Sequence, residues 1–100
     1  MFQIDAATLQ QRIHNGETLN LLDVREAIEY HTFNIGGQNM PVGKLKQNIN
    51  SIFYNKTDEI IVICSAGIRS ETALAILAEA GFTHVVNFKG GLKALQKLNR

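Results

Sequence analysis

The stretch Ile60-Ile61-Val62-Ile63-Cys64-Ser65-Ala66-Gly67-Ile68-Arg69-Ser70 decides how this chain folds. Four branched apolar residues run directly into the only cysteine of the sequence. A short loop with one glycine follows, and Ser70 to Ala80 then carries Ala73, Leu74, Ile76, Leu77 and Ala80 on one side of a helix. A short apolar run rich in β-branched residues suits a strand buried on both faces of a parallel sheet. Ligands of such sheets bind beyond the carboxyl ends of the strands, which is where Cys64 sits. The loop amides and the positive end of the following helix would face the sulfur and favour thiolate over thiol. The expected layout is a cysteine nucleophile in an anion-binding cradle. The competing reading is a buried core cysteine, since free cysteine is among the most buried residue types.

Working outward, strands and helices alternate. Phe2 to Ile4 reads as a short strand, and Asp5 as the N-cap of a helix through Leu9 and Ile13 that ends near Asn15-Gly16. Leu19 to Val24 is the second strand, and Ala27 to His31 a short helix. Gly36-Gly37 and Pro41 mark an irregular segment with a short strand around Gln38 to Met40. Lys44 to Tyr54 places Leu45, Ile49, Ile52 and Phe53 at helical spacing. Gly81 ends the helix after the cysteine loop, His84 to Phe88 reads as a strand, and Leu92 to Leu98 as the last helix. Strands alternating with helical patterns imply parallel βα units, an α/β fold.

One hundred residues, 45% of them hydrophobic, suit a single domain over residues 1–100 with one buried core. Ten basic and nine acidic residues leave the chain near neutral, which excludes a non-specific nucleic-acid binder. The neutral surface and small size point to a monomer. One cysteine cannot form an intramolecular disulfide, and no Cys/His zinc spacing exists, so no metal is expected. The amino terminus has neither a basic n-region nor an apolar h-region, and no apolar run approaches the roughly 18 residues that span a bilayer. A cytoplasmic protein with no membrane association is the expectation.

The residues that can carry chemistry are few. Ser65, Ala66 and Gly67 are small enough to let backbone N–H groups converge on a ligand beside Cys64. Gly67 would take a backbone angle that curls the loop, and Ser65 and Ser70 would hydrogen-bond within it. A cation such as Arg69 at a helix N-terminus is slightly unfavourable, which suggests pairing with a carboxylate or an anionic substrate. Asp23, Arg25 and Glu26 follow the second strand and therefore lie at the same sheet edge as Cys64. They read as an ion-pair cluster that fixes loops. His14, His31 and His84 are not placed as a catalytic partner, and Gly90-Gly91 alone marks only a tight turn.

Together these segments resemble a single-domain rhodanese, a thiosulfate sulfurtransferase-like domain. Leu21-Leu22-Asp23-Val24-Arg25-Glu26 with Glu29-Tyr30 is similar to the family's first signature. Phe33-Asn34-Ile35-Gly36-Gly37 through Pro41 is similar to the segment that follows it. Cys64-Ser65-Ala66-Gly67-Ile68-Arg69-Ser70 resembles the C-x-x-G-x-R-S active-site loop, and Phe88-Lys89-Gly90-Gly91-Leu92 the late Gly-Gly motif. The resemblance implies a rhodanese-like, five-stranded, mostly parallel sheet flanked by helices on both faces. It also implies a persulfide on Cys64, an outer sulfur cradled by the backbone from Ser65 through Ala66, Gly67, Ile68 and Arg69 to Ser70, and no cofactor.

The implied reaction moves sulfane sulfur from thiosulfate or a polysulfide or persulfide donor. No second cysteine exists in the chain to resolve the persulfide, so the acceptor is external: cyanide, a small thiol or a protein cysteine. Ser65 and Ala66 are neutral where some family members carry cations that would bind a dianion and stabilise departing sulfite. A weakly active sulfur carrier or protein-binding module is therefore the alternative. A cysteine-dependent phosphatase or arsenate reductase stands further back. Four residues rather than five separate Cys64 from Arg69, a loop that suits one sulfur atom better than a tetrahedral oxyanion.

Overall fold

The computed structural model describes residues 2–100. Five strands, β1 (Phe2–Ile4), β2 (Leu21–Asp23), β3 (Gln38–Asn39), β4 (Ile60–Ile63) and β5 (Val85–Phe88), form one sheet in the order β1-β5-β4-β2-β3. Every pairing is parallel. The helices are α1 (Ala6–His14), α2 (Ala27–Thr32), α3 (Val42–Leu45), α4 (Ile68–Glu79) and α5 (Gly91–Leu98), with a 3-10 turn at Ile49–Ser51. The fold is α/β, as the alternation of strand and helix patterns predicts.

The middle strand explains the architecture. Each of the four residues of β4 is fully buried, so both of its faces meet apolar layers. On one face Ile60, Val62 and Cys64 pack with Leu45, Ala73, Leu74 and Leu77, which belong to α3 and α4. On the other, Ile61 and Ile63 pack with Leu9 of α1 and with Leu92 and Leu95 of α5. In α4 the buried positions are Ser70, Ala73, Leu74 and Leu77, one stripe at helical spacing. Burying a leucine fully contributes about 1.5–3 kcal/mol, so Leu77 alone anchors α4 substantially.

Local signals behave as expected at several ends. Asp5 caps α1, its Oδ1 accepting from the Thr8 amide at 2.8 Å. Gly81, at φ +98, stops the chain after α4 where a side chain would be strained. Several bounds shift by one to three residues. The ladder of β2 covers Leu21–Asp23 within the expected Leu19–Val24, and α4 starts at Ile68 rather than Ser70.

One expected helix does not form. Lys44 to Tyr54 divides into the end of α3, turns, the 3-10 turn and an extended Ile52. Asn48 competes for backbone hydrogen bonds there, its side chain donating to the Lys44 carbonyl. A tertiary clamp then holds the segment open. The Gln38 side chain donates to the Ser51 carbonyl and accepts from the Phe53 amide, both at 2.8 Å. Leu45, Ile49 and Ile52 still reach the α3–α4 core, but Phe53 is 76% exposed.

Candidate active site

Cys64 follows β4 at the carboxyl edge of the sheet, and only 1% of its surface is exposed. The loop folds back over it because Gly67 adopts φ +90. A Cβ there would be strained and would lie 3.1 Å from the Gly90 nitrogen. The turn brings the Gly67 amide to 3.0 Å and the Ser70 amide to 3.4 Å from Sγ, and the Ser70 Oγ also lies at 3.4 Å. Burial pushes the Cys64 thiol up. The Ser70 hydroxyl and the Ser70, Ala66 and Gly67 amides outweigh it and hold the group below the ordinary cysteine value.

The Gly90-Gly91 turn is part of this cradle. Gly91 has φ +64, and a Cβ there would collide with the Cys64 and Ser65 backbone. That close approach lets the first amides of α5 serve the loop. Leu92 donates to the Cys64 carbonyl and Lys93 to the Ser65 carbonyl, both at 2.9 Å. With their carbonyls engaged from the side of α5, the loop residues turn their amides toward the sulfur.

Arg69 points to a carboxylate. Its Nη1 and Nη2 donate to the two oxygens of Glu29 at 2.6 and 3.0 Å, and Nη2 also reaches the Ser65 hydroxyl at 3.1 Å. The Arg69 guanidinium lowers Glu29 to about 2, with burial opposing the shift and the Glu26 amide adding to it. Glu29 belongs to the first signature but was not among the expected site residues. The cost of a cation at the start of α4 was the available signal for such a partner.

Asp23 and Arg25 form the expected ion pair at 2.8 Å, nearly free of solvent. Neither bonds to the sulfur. Arg25 also donates to the Phe33 carbonyl at 2.7 Å and the Glu29 carbonyl at 3.4 Å, and the Asn39 side chain holds the Asp23 and Arg25 carbonyls. This latch ties β2, α2 and β3 together and so sets where Glu29 stands. Glu26 is not a member of the ion-pair cluster. It is exposed at the start of α2, where its amide donates to Glu29 Oε1 at 3.0 Å. Its position before the helix makes it the cap residue of α2, and its charge acts on Arg69 only at longer range.

Ile68 projects into solvent, 73% exposed, so its side chain does not pack on the sulfur. A cleft of about 350 Å³ opens beside the loop, lined by Ile28, Glu29, Phe33, Ser65, Lys93 and Gln96 among others. The His84 side chain faces Glu59 at 3.9 Å and packs edge-on against Phe2, away from Cys64. Among the described residues no three His, Cys, Asp or Glu side chains gather as a metal site. Among the described residues no helix is long and apolar enough to cross a membrane.

The family of the rhodanese-like domain matches residues 5–98. YrkF of Bacillus subtilis, named a candidate sulfur carrier protein, is 36% identical over 92 residues, covering 91% of this chain and 49% of that protein. The chain thus spans about half the length of that relative. The thiosulfate sulfurtransferase PspE of Escherichia coli is 40% identical over 73 residues, covering 72% of this chain and 69% of that one. The rhodanese-like domain of an Anabaena protein superposes with a TM-score of 0.86 at 32% identity, covering 98% of this chain and 75% of that one. With the family profile, the sequence relatives and the superposition agreeing, this chain belongs to the rhodanese-like family.

Proposed function

We propose that this domain is a sulfurtransferase in which Cys64 carries the migrating sulfur. The thiolate attacks the outer sulfur of the donor, forming a new S–S bond to Cys64 as the donor's own S–S bond breaks. The leaving group is sulfite from thiosulfate, or a thiolate from an organic persulfide. An external thiolate or cyanide then attacks the outer sulfur of Cys64, takes it, and restores the Cys64 thiolate. The observation that carries this reading is one buried sulfur that accepts from two backbone amides and has the Ser70 hydroxyl beside it, all within 3.4 Å. Such donors stabilise the anion in both its thiolate and persulfide forms. A reducing compartment such as the cytoplasm would keep the cysteine free between cycles.

The donor side favours a persulfide or polysulfide over thiosulfate. Ser65 and Ala66 bring no charge, and the Arg69 guanidinium is occupied by Glu29. A carrier with slow thiosulfate turnover fits the same charge balance, and an external protein cysteine is then the natural acceptor. The Arg69–Glu29 pair also weighs against a phosphatase, because that guanidinium is not free to clamp an oxyanion.

Intact-protein mass spectrometry tests the proposal. Wild-type protein should gain one sulfur atom from a persulfide or polysulfide donor and lose it to cyanide or thiol, whereas Cys64→Ala should gain none. Absence of the adduct with every sulfur donor, thiosulfate included, would overturn it.

A further inference from the structure

Asn87 is the one polar residue of β5, whose other members are Val85, Val86 and Phe88. It pairs in register with Gln3 of β1 and Val62 of β4, so both sides of its backbone are occupied, and only 4% of it is exposed. An amide side chain in that position is unfavourable unless it is hydrogen-bonded. Its partner is Ser70, also fully buried, whose hydroxyl donates to Asn87 Oδ1 in a close hydrogen bond. The Cys64 thiol in turn donates to Ser70 Oγ at 3.4 Å. Three buried side chains, from the end of β4, from α4 and from β5, form a chain that leads away from the sulfur.

A serine hydroxyl has one proton. With Cys64 as a thiol, the order S–H to Oγ and O–H to Oδ1 satisfies all three groups. An anionic sulfur no longer donates, and the Ser70 proton then binds best on the sulfur itself. That turn would strand Asn87 Oδ1 unless the amide also turns. An asparagine amide is planar, carries an acceptor and a donor of similar size, and has a broad terminal torsion. A half-turn presents Nδ2 to Ser70, and the chain runs from Asn87 to Ser70 to the sulfur.

We infer that Asn87 is a positioning residue whose amide reverses the hydrogen bond between Ser70 and Cys64 as the sulfur changes charge. This rests on Cys64 being the nucleophile. The ionisable groups around the site are Asp23 and Arg25 beyond β2, Glu29 on α2, Arg69 on α4 and Lys93 on α5. The first four are tied in two ion pairs, and Lys93 lines the cleft. From β5 the sulfur receives only this neutral relay. Charge-assisted hydrogen bonds are the stronger kind, so the relay supports the anion more than the thiol.

Iodoacetamide alkylation followed against pH tests the relay in wild type, Asn87→Leu, Ser70→Ala and the double variant. The wild-type midpoint should lie below the free-cysteine value of about 8.5. Asn87→Leu should raise it by about 0.5 to 1 unit and slow alkylation below the midpoint about three- to tenfold. Ser70→Ala should raise it at least as far, and the double variant should shift no further than Ser70→Ala alone. An unchanged or lowered midpoint in Asn87→Leu would overturn the inference, as would additive shifts in the double variant. Asn87→Val, β-branched and suited to a strand, takes the place of the leucine variant if that protein melts early. Alkylation needs no sulfur donor, so its outcome is independent of whether a persulfide forms.

Discussion

Glu29 carries a consequence that Arg69 alone does not. Its carboxyl is held at about 2, against an ordinary 4.5, by the Arg69 guanidinium, with burial opposing. A carboxyl depressed in the folded state contributes stability that is complete above the unfolded value and is lost as pH falls through the folded one. The window is therefore pH 4.5 down to about 2. Both side chains of the pair are about one-third exposed, so solvent screening keeps the contribution modest. The urea midpoint of the wild type should fall across this window, and Glu29→Gln should start lower and fall less steeply. Asp5 and Glu59 are also held low, through the Thr8 amide and the Arg12 guanidinium respectively, and share the acid limb. The difference between the two proteins isolates Glu29, and identical slopes would contradict the assignment.

At the scale of elements, the segment after α3 discriminates two structures. A continuous helix over Lys44 to Tyr54 would turn Phe53 inward beside Leu45. The observed path leaves Phe53 exposed and Leu45 fully buried. Phe53→Ala should therefore change stability by less than about 0.5 kcal/mol, whereas Leu45→Ala should cost about 2–5 kcal/mol, both read by urea unfolding. A loss of several kcal/mol for Phe53→Ala would restore the helix. The apolar period was legible here, since Leu45, Ile49 and Ile52 do pack inward. The break was not, because it depends on Gln38 reaching 13 and 15 residues along the chain to Ser51 and Phe53. By contrast α4 was legible almost to its ends, because its stripe of Ala73, Leu74 and Leu77 and its stop at Gly81 are local. Taken alone, Gly90-Gly91 reads only as a tight turn, and the motif that contains it does not say what the turn touches. Only the approach of Gly91 to the Cys64 backbone shows what it does.

For the whole molecule, the central position of β4 gathers the site. Its neighbours β2 and β5 deliver the Asp23–Arg25 latch and Asn87, and α2, α4 and α5 deliver Glu29, the cradle amides and the amides of Leu92 and Lys93. The latch binds β2, α2 and β3 through one desolvated ion pair. Asp23→Asn leaves Arg25 charged and buried, and should cost about 3–5 kcal/mol. That is a large share of the roughly 5–15 kcal/mol that stabilises a domain of this kind. Thermal melting would show it, and Asp23→Asn melting like wild type would mean that the pair is not the latch. Replacing both partners by apolar residues of similar volume should recover much of the loss, since no unpaired charge then remains.

The sequence by itself determined the alternation of strands and helices, the buried middle strand, the cysteine at its carboxyl end and the small loop after it. Each of these depends on interactions within a few residues, namely side-chain periodicity, capping and the angles open to glycine. The tertiary structure alone decided that Arg69 pairs with Glu29, 40 residues away, and that Ser70 meets Asn87, 17 residues away. It also decided that Glu26 stands outside the ion-pair cluster. Those choices depend on which strands become neighbours and how far each helix reaches over the sheet edge, and long-range packing sets both.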